Sequence, residues 1–231
     1  MGMKGKVALG AVVGIVVIGA VSANSGGDDG GSDGKSSSAS AGQQSGGKKD
    51  AGPSGGGADT AKAEKKAAFE GDGDFEVGSD VKPGTYRTTG NTDGMCYWER
   101  AKDASGELDS LLANDNVTGT GYVTVKATDK FFKSNGCGDW EAVDPKAKGT
   151  PAAKMSGDGG MFAVGTDITP GTYKSTGNTD DGCYWERAKN ADHSLESIIA
   201  NNNVSGTAVV RISASDAYFK TVGCSDWQKT G

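Results

Sequence analysis

The chain has 231 residues, with 24 lysine and arginine side chains against 30 aspartate and glutamate, a net charge of −6 and one histidine. That balance excludes a nucleic-acid-binding role, which needs a basic footprint to displace counterions, and it disfavours docking on an anionic membrane surface. The charge is uneven, because residues 71–145 carry seven basic and fourteen acidic side chains whereas residues 146–231 carry nine of each; surface acid of this kind keeps a secreted protein soluble.

At the N-terminus, Lys4 and Lys6 precede an uncharged run from Val7 to Ala23 built of Val, Ile, Ala, Leu, Gly and Ser. A spanning helix needs roughly 20 apolar residues, with ~17 at the low end, so residues 7–23 sit on the border of a membrane anchor. The same pattern fits a cleaved secretory signal, with Val21-Ser22-Ala23 as the cut site. Both readings stay open over residues 1–23. Lysines before the run and acids only after it orient the chain N-in and C-out either way. The rest is expected to be extracytoplasmic, membrane-anchored or secreted.

From Asn24 to Glu70 the composition falls to Gly, Ser, Ala, Asp and Lys, with Phe69 the one aromatic residue. Such a segment buries too little apolar surface to offset the entropy of ordering it, and residues 24–70 are expected to be a disordered linker. A flexible coil of that length spans roughly 35–40 Å.

Beyond it, residues 75–140 recur without a gap as residues 162–227, and 38 of the 66 aligned positions are identical. The chain therefore divides into a first module at 71–140, a linker at 141–160 and a second module at 161–231. Each is too short for a hydrophobic core to be comfortable unaided. Four cysteines, two per repeat, read as two disulfides in a chain that leaves the cytoplasm. Duplication selects Cys96 with Cys137 and Cys183 with Cys224, since each copy had to fold before it was doubled. No zinc site is expected, because Cys-x40-Cys lacks paired short spacing.

Within a repeat, Pro83-Gly84 has the pattern of a type II turn and Thr85–Thr89 that of a strand. Asn91-Thr92-Asp93-Gly94 reads as a turn. Cys96–Arg100 reads as the next strand, whose period of two places Cys96 and Trp98 on one face and Tyr97 and Glu99 on the other. Trp98 and Trp185 are expected to pack on the disulfides. Leu108 to Ala113 is ambiguous, with a strand entering a turn at Asn114-Asp115-Asn116 preferred to a single helical turn. Tyr122–Val125 alternates again. The fold class that follows is all-β: two small disulfide-stapled antiparallel sandwich-like modules in tandem, behind an apolar N-terminal helix and a disordered linker.

The string Val77, Pro83-Gly84-Thr85-Tyr86, Cys96-Tyr97-Trp98-Glu99-Arg100, Leu108, Asn114-Asp115-Asn116 and Gly136-Cys137…Trp140 recurs as Val164, Pro170-Gly171-Thr172-Tyr173, Cys183-Tyr184-Trp185-Glu186-Arg187, Leu195, Asn201-Asn202-Asn203 and Gly223-Cys224…Trp227. It resembles a repeat of secreted and membrane-anchored actinomycete proteins. The resemblance implies an extracytoplasmic module with no assigned chemistry and no set of functional residues.

Enzyme chemistry is not expected. The only histidine, His193, aligns with Gly106, so no catalytic site shared by the modules uses histidine, and it reads as a solvated turn residue; the cysteines are spent in disulfides. The acids recurring in both copies are Asp80/Asp167, Asp93/Asp180, Glu99/Glu186, Asp109/Glu196, Asp129/Asp216 and Asp139/Asp226; most sit in turn-like strings, where hydrogen bonds to turn backbone account for them. Asp72, Asp74 and Asp115 offer hard oxygens suited to calcium, but their counterparts, taken as Gly159, Met161 and Asn202, do not, so no metal and no cofactor is expected. The remaining candidate is aromatic: Tyr86, Tyr97, Glu99 and Arg100, with Tyr173, Tyr184, Glu186 and Arg187, could stack on sugar rings and hydrogen-bond hydroxyls. The competing reading packs these tyrosines inside a two-layer sandwich. The expected partner is cell-wall glycan or another extracellular molecule bound by the tandem; the alternative is a membrane-anchored protein-interaction or sensory ectodomain.

Overall fold

A computed structural model of the chain describes residues 67–231. The apolar run 7–23 and residues 24–66 of the expected linker lie outside the described residues. Among the described residues no helix is long and apolar enough to cross a membrane.

The described chain is almost entirely strand. β1 (Gly73–Glu76), β2 (Gly84–Ala101), β3 (Leu111–Val125), β4 (Phe131–Asn135) and β5 (Glu141–Ala142) build the first module. β6 (Lys154–Met155), β7 (Gly160–Ala163), β8 (Gly171–Ala188), β9 (Ile198–Ile212), β10 (Tyr218–Val222) and β11 (Trp227–Lys229) build the second. In each module the frame is one long antiparallel hairpin, β2 with β3 and β8 with β9. The short strand β4 or β10 lines the far half of that hairpin and in turn pairs with β1 or β7. β5 and β11 line the near half.

The hairpin bends where the expected turn at 91–94 lies. The register shifts between Thr88 and Asn91 and again between Asn91 and Cys96. The segment is thus a bulge inside one strand, and bulges bend the strand that carries them. Asn91 pins the bend by donating to the Gly119 carbonyl at 2.9 Å and accepting from the Gly138 amide at 2.8 Å. Asn178 repeats both bonds, to Gly206 and from Ser225, at 3.0 and 2.8 Å. Because of the bend, Tyr86 and Thr88 from one half and Cys96 and Trp98 from the other face a single core with Val117, Val123, Phe132 and Trp140. The disulfides join Cys96 to Cys137 and Cys183 to Cys224, as duplication required.

Three expectations are corrected. Leu108–Ser110 is a single 3₁₀ turn, and β3 then runs straight through Asn114-Asp115-Asn116, which pair with Glu99, Trp98 and Tyr97. Pairing along the hairpin overrides the turn preference of Asn and Asp. Phe69, read as linker, is buried against Phe75, Tyr86, Phe132 and Trp140. Its backbone bridges Trp140. Finally, the 141–160 segment contributes β5 and β6 to the two modules rather than serving only as a connector.

A candidate binding strip and an asymmetric module junction

Tyr86 and Tyr173 do not belong to an exposed aromatic face. They lie on the inward side of the bent strand and are buried, Tyr173 completely. Their hydroxyls donate to the carbonyls of Lys82 and Thr169, both at 2.7 Å. Sequence spacing places Tyr86 and Tyr97 on separate strands, but one continuous strand carries them on opposite faces.

Arg100 is corrected for a related reason. It is buried, and its guanidinium grips Asp129 through Nε at 2.6 Å and Nη2 at 2.9 Å. Asp129 also accepts the Lys126 amide at 2.7 Å, so one carboxylate both closes a turn and neutralises a buried cation. Arg187 and Asp216 repeat the fork at the same distances, with the arginine 21% exposed. The Asp216 fork holds the Arg187 guanidinium above its ordinary range. These arginines are structural. Their acidic partners recur in the sequence, but only the fold shows which cation each one faces.

Tyr97, Glu99, Tyr184 and Glu186 remain on the outer face, half-buried. Tyr97 Oη donates to Glu99 Oε2 at 2.6 Å, and Tyr184 Oη to Glu186 Oε2 at 2.6 Å. Burial, then the bond to Glu99, pushes the Tyr97 hydroxyl up to about 12; burial and Glu186 raise Tyr184 as well. The paired strand supplies Asn114 and Asn116 beside the first strip and Asn201 and Asn203 beside the second. Asn201 donates to Tyr184 Oη at 3.2 Å. Lys133 approaches Glu99 at 3.5 Å. Each module thus presents a tyrosine ring framed by a carboxylate and two amides on the outer sheet face. Rings offer stacking area, and oriented acceptors and donors suit hydroxyl-rich ligands.

Between the modules lies a second surface that duplication does not foretell. Tyr122, on the outer face of β3, is buried by Met161, Ala188 and Ala191, with Tyr218 5.0 Å away between ring centroids. Its hydroxyl donates to Asp167 at 2.6 Å, and Arg87 stacks over its ring at 5.7 Å. Burial and Asp167 hold the Tyr122 hydroxyl far above its usual range. Backbone bonds run from the Thr124 amide to Ala191 at 2.8 Å and from the Thr120 amide to Gly159 at 3.0 Å. At Gly119, whose φ is +71°, a Cβ would come within 2.5 Å of the Gly159 carbonyl.

His193 completes the junction. Its ring packs edge-on against Trp98 at 4.7 Å, and Nε2 lies 2.7 Å from the Tyr122 carbonyl, to which the neutral ring donates. The expectation that His193 is a solvated turn residue is therefore overturned. Lys220 meets Asp115 at 2.6 Å and Lys126 meets Asp192 at 2.7 Å. Asp115 is thus an ion-pair partner across the junction. Asp72 accepts the Gly136 amide, as Asp158 accepts that of Gly223. Asp158 rather than Gly159 is therefore the counterpart of Asp72, and Gly159 is a one-residue insertion used at the junction. A groove of about 460 Å³ runs beside it, lined by Arg87, Lys148, Lys154, Phe162 and Asp167 among others.

Both Trp98 and Trp185 belong to core clusters that hold their modules' disulfide cysteines. Trp98 is sealed, with His193 of the second module packed on it, whereas Trp185 is only partly buried.

Comparison with known proteins matches this architecture. The model of a family described as the Rv1352-like extracellular domain matches residues 67–141 and again 153–228, the second match one residue longer. An uncharacterized protein of Mycobacterium tuberculosis, Rv1352, is 31% identical over 97 residues, covering 37% of this chain and 78% of its own. An uncharacterized protein of Mycobacterium bovis, Mb1387, matches with the same identity and coverage. No solved structure matches.

Proposed function

Because the chain belongs to the Rv1352-like extracellular domain family, carrying its domain twice, we propose that the two modules act together as a non-enzymatic binding unit for cell-wall glycan. The observation that carries this reading is the duplicated strip. Tyr97–Glu99 and Tyr184–Glu186 keep the same 2.6 Å bond on the outer face of both copies. The tyrosine rings supply stacking faces; Glu99 and Glu186 fix each phenol and accept from sugar hydroxyls; the flanking asparagines donate and accept. Two strips on one chain gain avidity, since the second contact becomes intramolecular at roughly millimolar effective concentration.

A second reading, a protein-contacting ectodomain, draws on a different observation. Val209 stands 60% exposed on the outer face of β8 and β9, a large apolar side chain where the first module has its buried Tyr122.

Titration of the full chain with soluble fragments released from mycobacterial walls tests the glycan reading. Saturable binding is expected, weakened by Tyr97→Ala and by Tyr184→Ala singly and lost in the double variant, with fragments recovered unchanged in mass. Binding that the double variant retains removes the strip from the account, and cleavage of the fragments removes the non-enzymatic reading.

A further inference from the structure

Among the described residues, the junction uses one face of each module and leaves the equivalent faces uncovered, and these two faces have diverged in opposite directions. On the second module, the side turned to the junction is neutral or apolar at Met161, Ala163, Asn190 and Ser194; the first module has Asp74, Glu76, Asp103 and Glu107 at those positions. All four of these acids are exposed, as is Asp80, the counterpart of the buried-junction acceptor Asp167. The acidity of residues 71–145 is therefore gathered in part on a face that the tandem geometry designs for docking.

The opposite free face belongs to β8 and β9. Lys174 stands where Arg87 does, Arg211 where Thr124 does, and Val209 where Tyr122 does, and all three are exposed. Arg187 lies on the same flank with its guanidinium partly open. Paired residues Lys174 with Val209 and Thr172 with Arg211 make this a regular two-strand surface of basic and apolar character with no acid among them. In the junction, the Arg87 charge acts on the Tyr122–Asp167 pair; Lys174 and Asp80 are its counterparts on the two free faces.

We infer that a second copy of this chain docks its acidic first-module face on the basic face of β8 and β9, repeating the internal junction between molecules. The geometry is already realised once inside each chain, and the two free faces complement each other in charge. One of the two backbone bonds of the junction has counterpart groups, the amide of Arg211 for that of Thr124 and the carbonyl of Ala104 for that of Ala191; the Thr120–Gly159 bond has none, because Gly159 is the inserted residue. Val209 meets Phe131 in place of Tyr122 meeting Tyr218. The Tyr122 hydroxyl bond and the Lys126–Asp192 pair have no counterpart, so the contact between chains is weaker and reversible. Such an interface is heterologous, so each added chain offers the docking face for the next and the contact propagates from molecule to molecule.

Cysteine trapping on the full chain tests this. Ala104→Cys and Arg211→Cys are both at exposed positions, and their counterparts in the junction are joined by a 2.8 Å backbone bond. The doubly substituted chain, mildly oxidised, is expected to give a ladder of dimers, trimers and higher species on a non-reducing gel. A mixture of the two single variants is expected to give the mixed dimer alone. Adding Lys174→Glu, or working in 1 M salt where charges are screened beyond about 3 Å, is expected to reduce the ladder several-fold. Peptide mapping of Cys96–Cys137 and Cys183–Cys224 checks that the variants keep the native fold. With those bonds intact, three results overturn the proposal: no ladder, a homodimer of the Arg211→Cys variant alone, or its capture of a different protein without a ladder.

Discussion

Tyr122 and Asp167, 45 residues apart in the chain, share a 2.6 Å hydrogen bond across the module boundary that the duplicated sequence provides only once. Val209 takes the equivalent place in the second module, and Asp80 has no tyrosine to accept from. Asp167 also accepts the Ala163 amide at 2.9 Å, so its carboxylate is held before the tyrosine arrives. A hydrogen bond to a charged group contributes about 1.5–3 kcal/mol. Tyr122→Phe should therefore destabilise the tandem by roughly that amount, whereas Tyr97→Phe, on the outer strip, should change the denaturation midpoint little. Urea unfolding of both variants checks this.

The two arginine forks should respond unequally to the same substitution. Arg100 is 4% exposed and Arg187 is 21% exposed, although both meet their aspartates at 2.6 Å. Asp129→Asn strands a buried guanidinium, a loss of about 3–5 kcal/mol. Asp216→Asn leaves a cation that water reaches, and its cost should be clearly smaller. Paired unfolding curves read the difference directly.

Stability should also depend on pH through His193. Burial, the largest influence, lowers its pKa below the ordinary value of 6.5, against the opposing pull of Asp115; Lys220 adds to the lowering and Glu186 opposes it. The unfolded chain then binds the proton at a higher pH than the folded chain. The stabilisation from the neutral ring is complete above the unfolded pKa of about 6.5 and is lost as pH falls from there through the folded pKa. His193→Gln should flatten this part of the profile. Melting temperatures between pH 7.5 and 5 are the check.

The disulfides close loops with a sequence separation of 41 in each module. A loop of that size corresponds to ~4 kcal/mol in the chain-entropy account, a large share of the stability of so small a domain. Full reduction should lower the melting temperature sharply. Cys96→Ser with Cys137→Ser should weaken the first module while leaving the second disulfide formed.

How far the sequence exposes all this follows from what duplication preserves. The pairing of cysteines was legible because each copy repeats it, and so was the all-β class, written in short alternating runs. The bend was not, because Asn91 and Asn178 resemble turn residues until three strands are seen converging on them. Asn114-Asp115-Asn116 misled for the same reason, as local turn preference gave way to pairing with β2. Tyr86 seemed to neighbour Tyr97 only because one bent strand reads as two. The module junction left a signal in the positions where the copies differ in both chemistry and size, Tyr122 against Val209 and His193 against Gly106. Those differences mark which face of each copy is buried.

Co-sedimentation with isolated mycobacterial cell walls tests the central claim most directly, comparing the oxidised full chain with its Tyr97→Ala/Tyr184→Ala variant at matched thermal stability. The account predicts that the native chain pellets with the walls and that the double variant stays in the supernatant. Equal pelleting of both, or of neither, would contradict it.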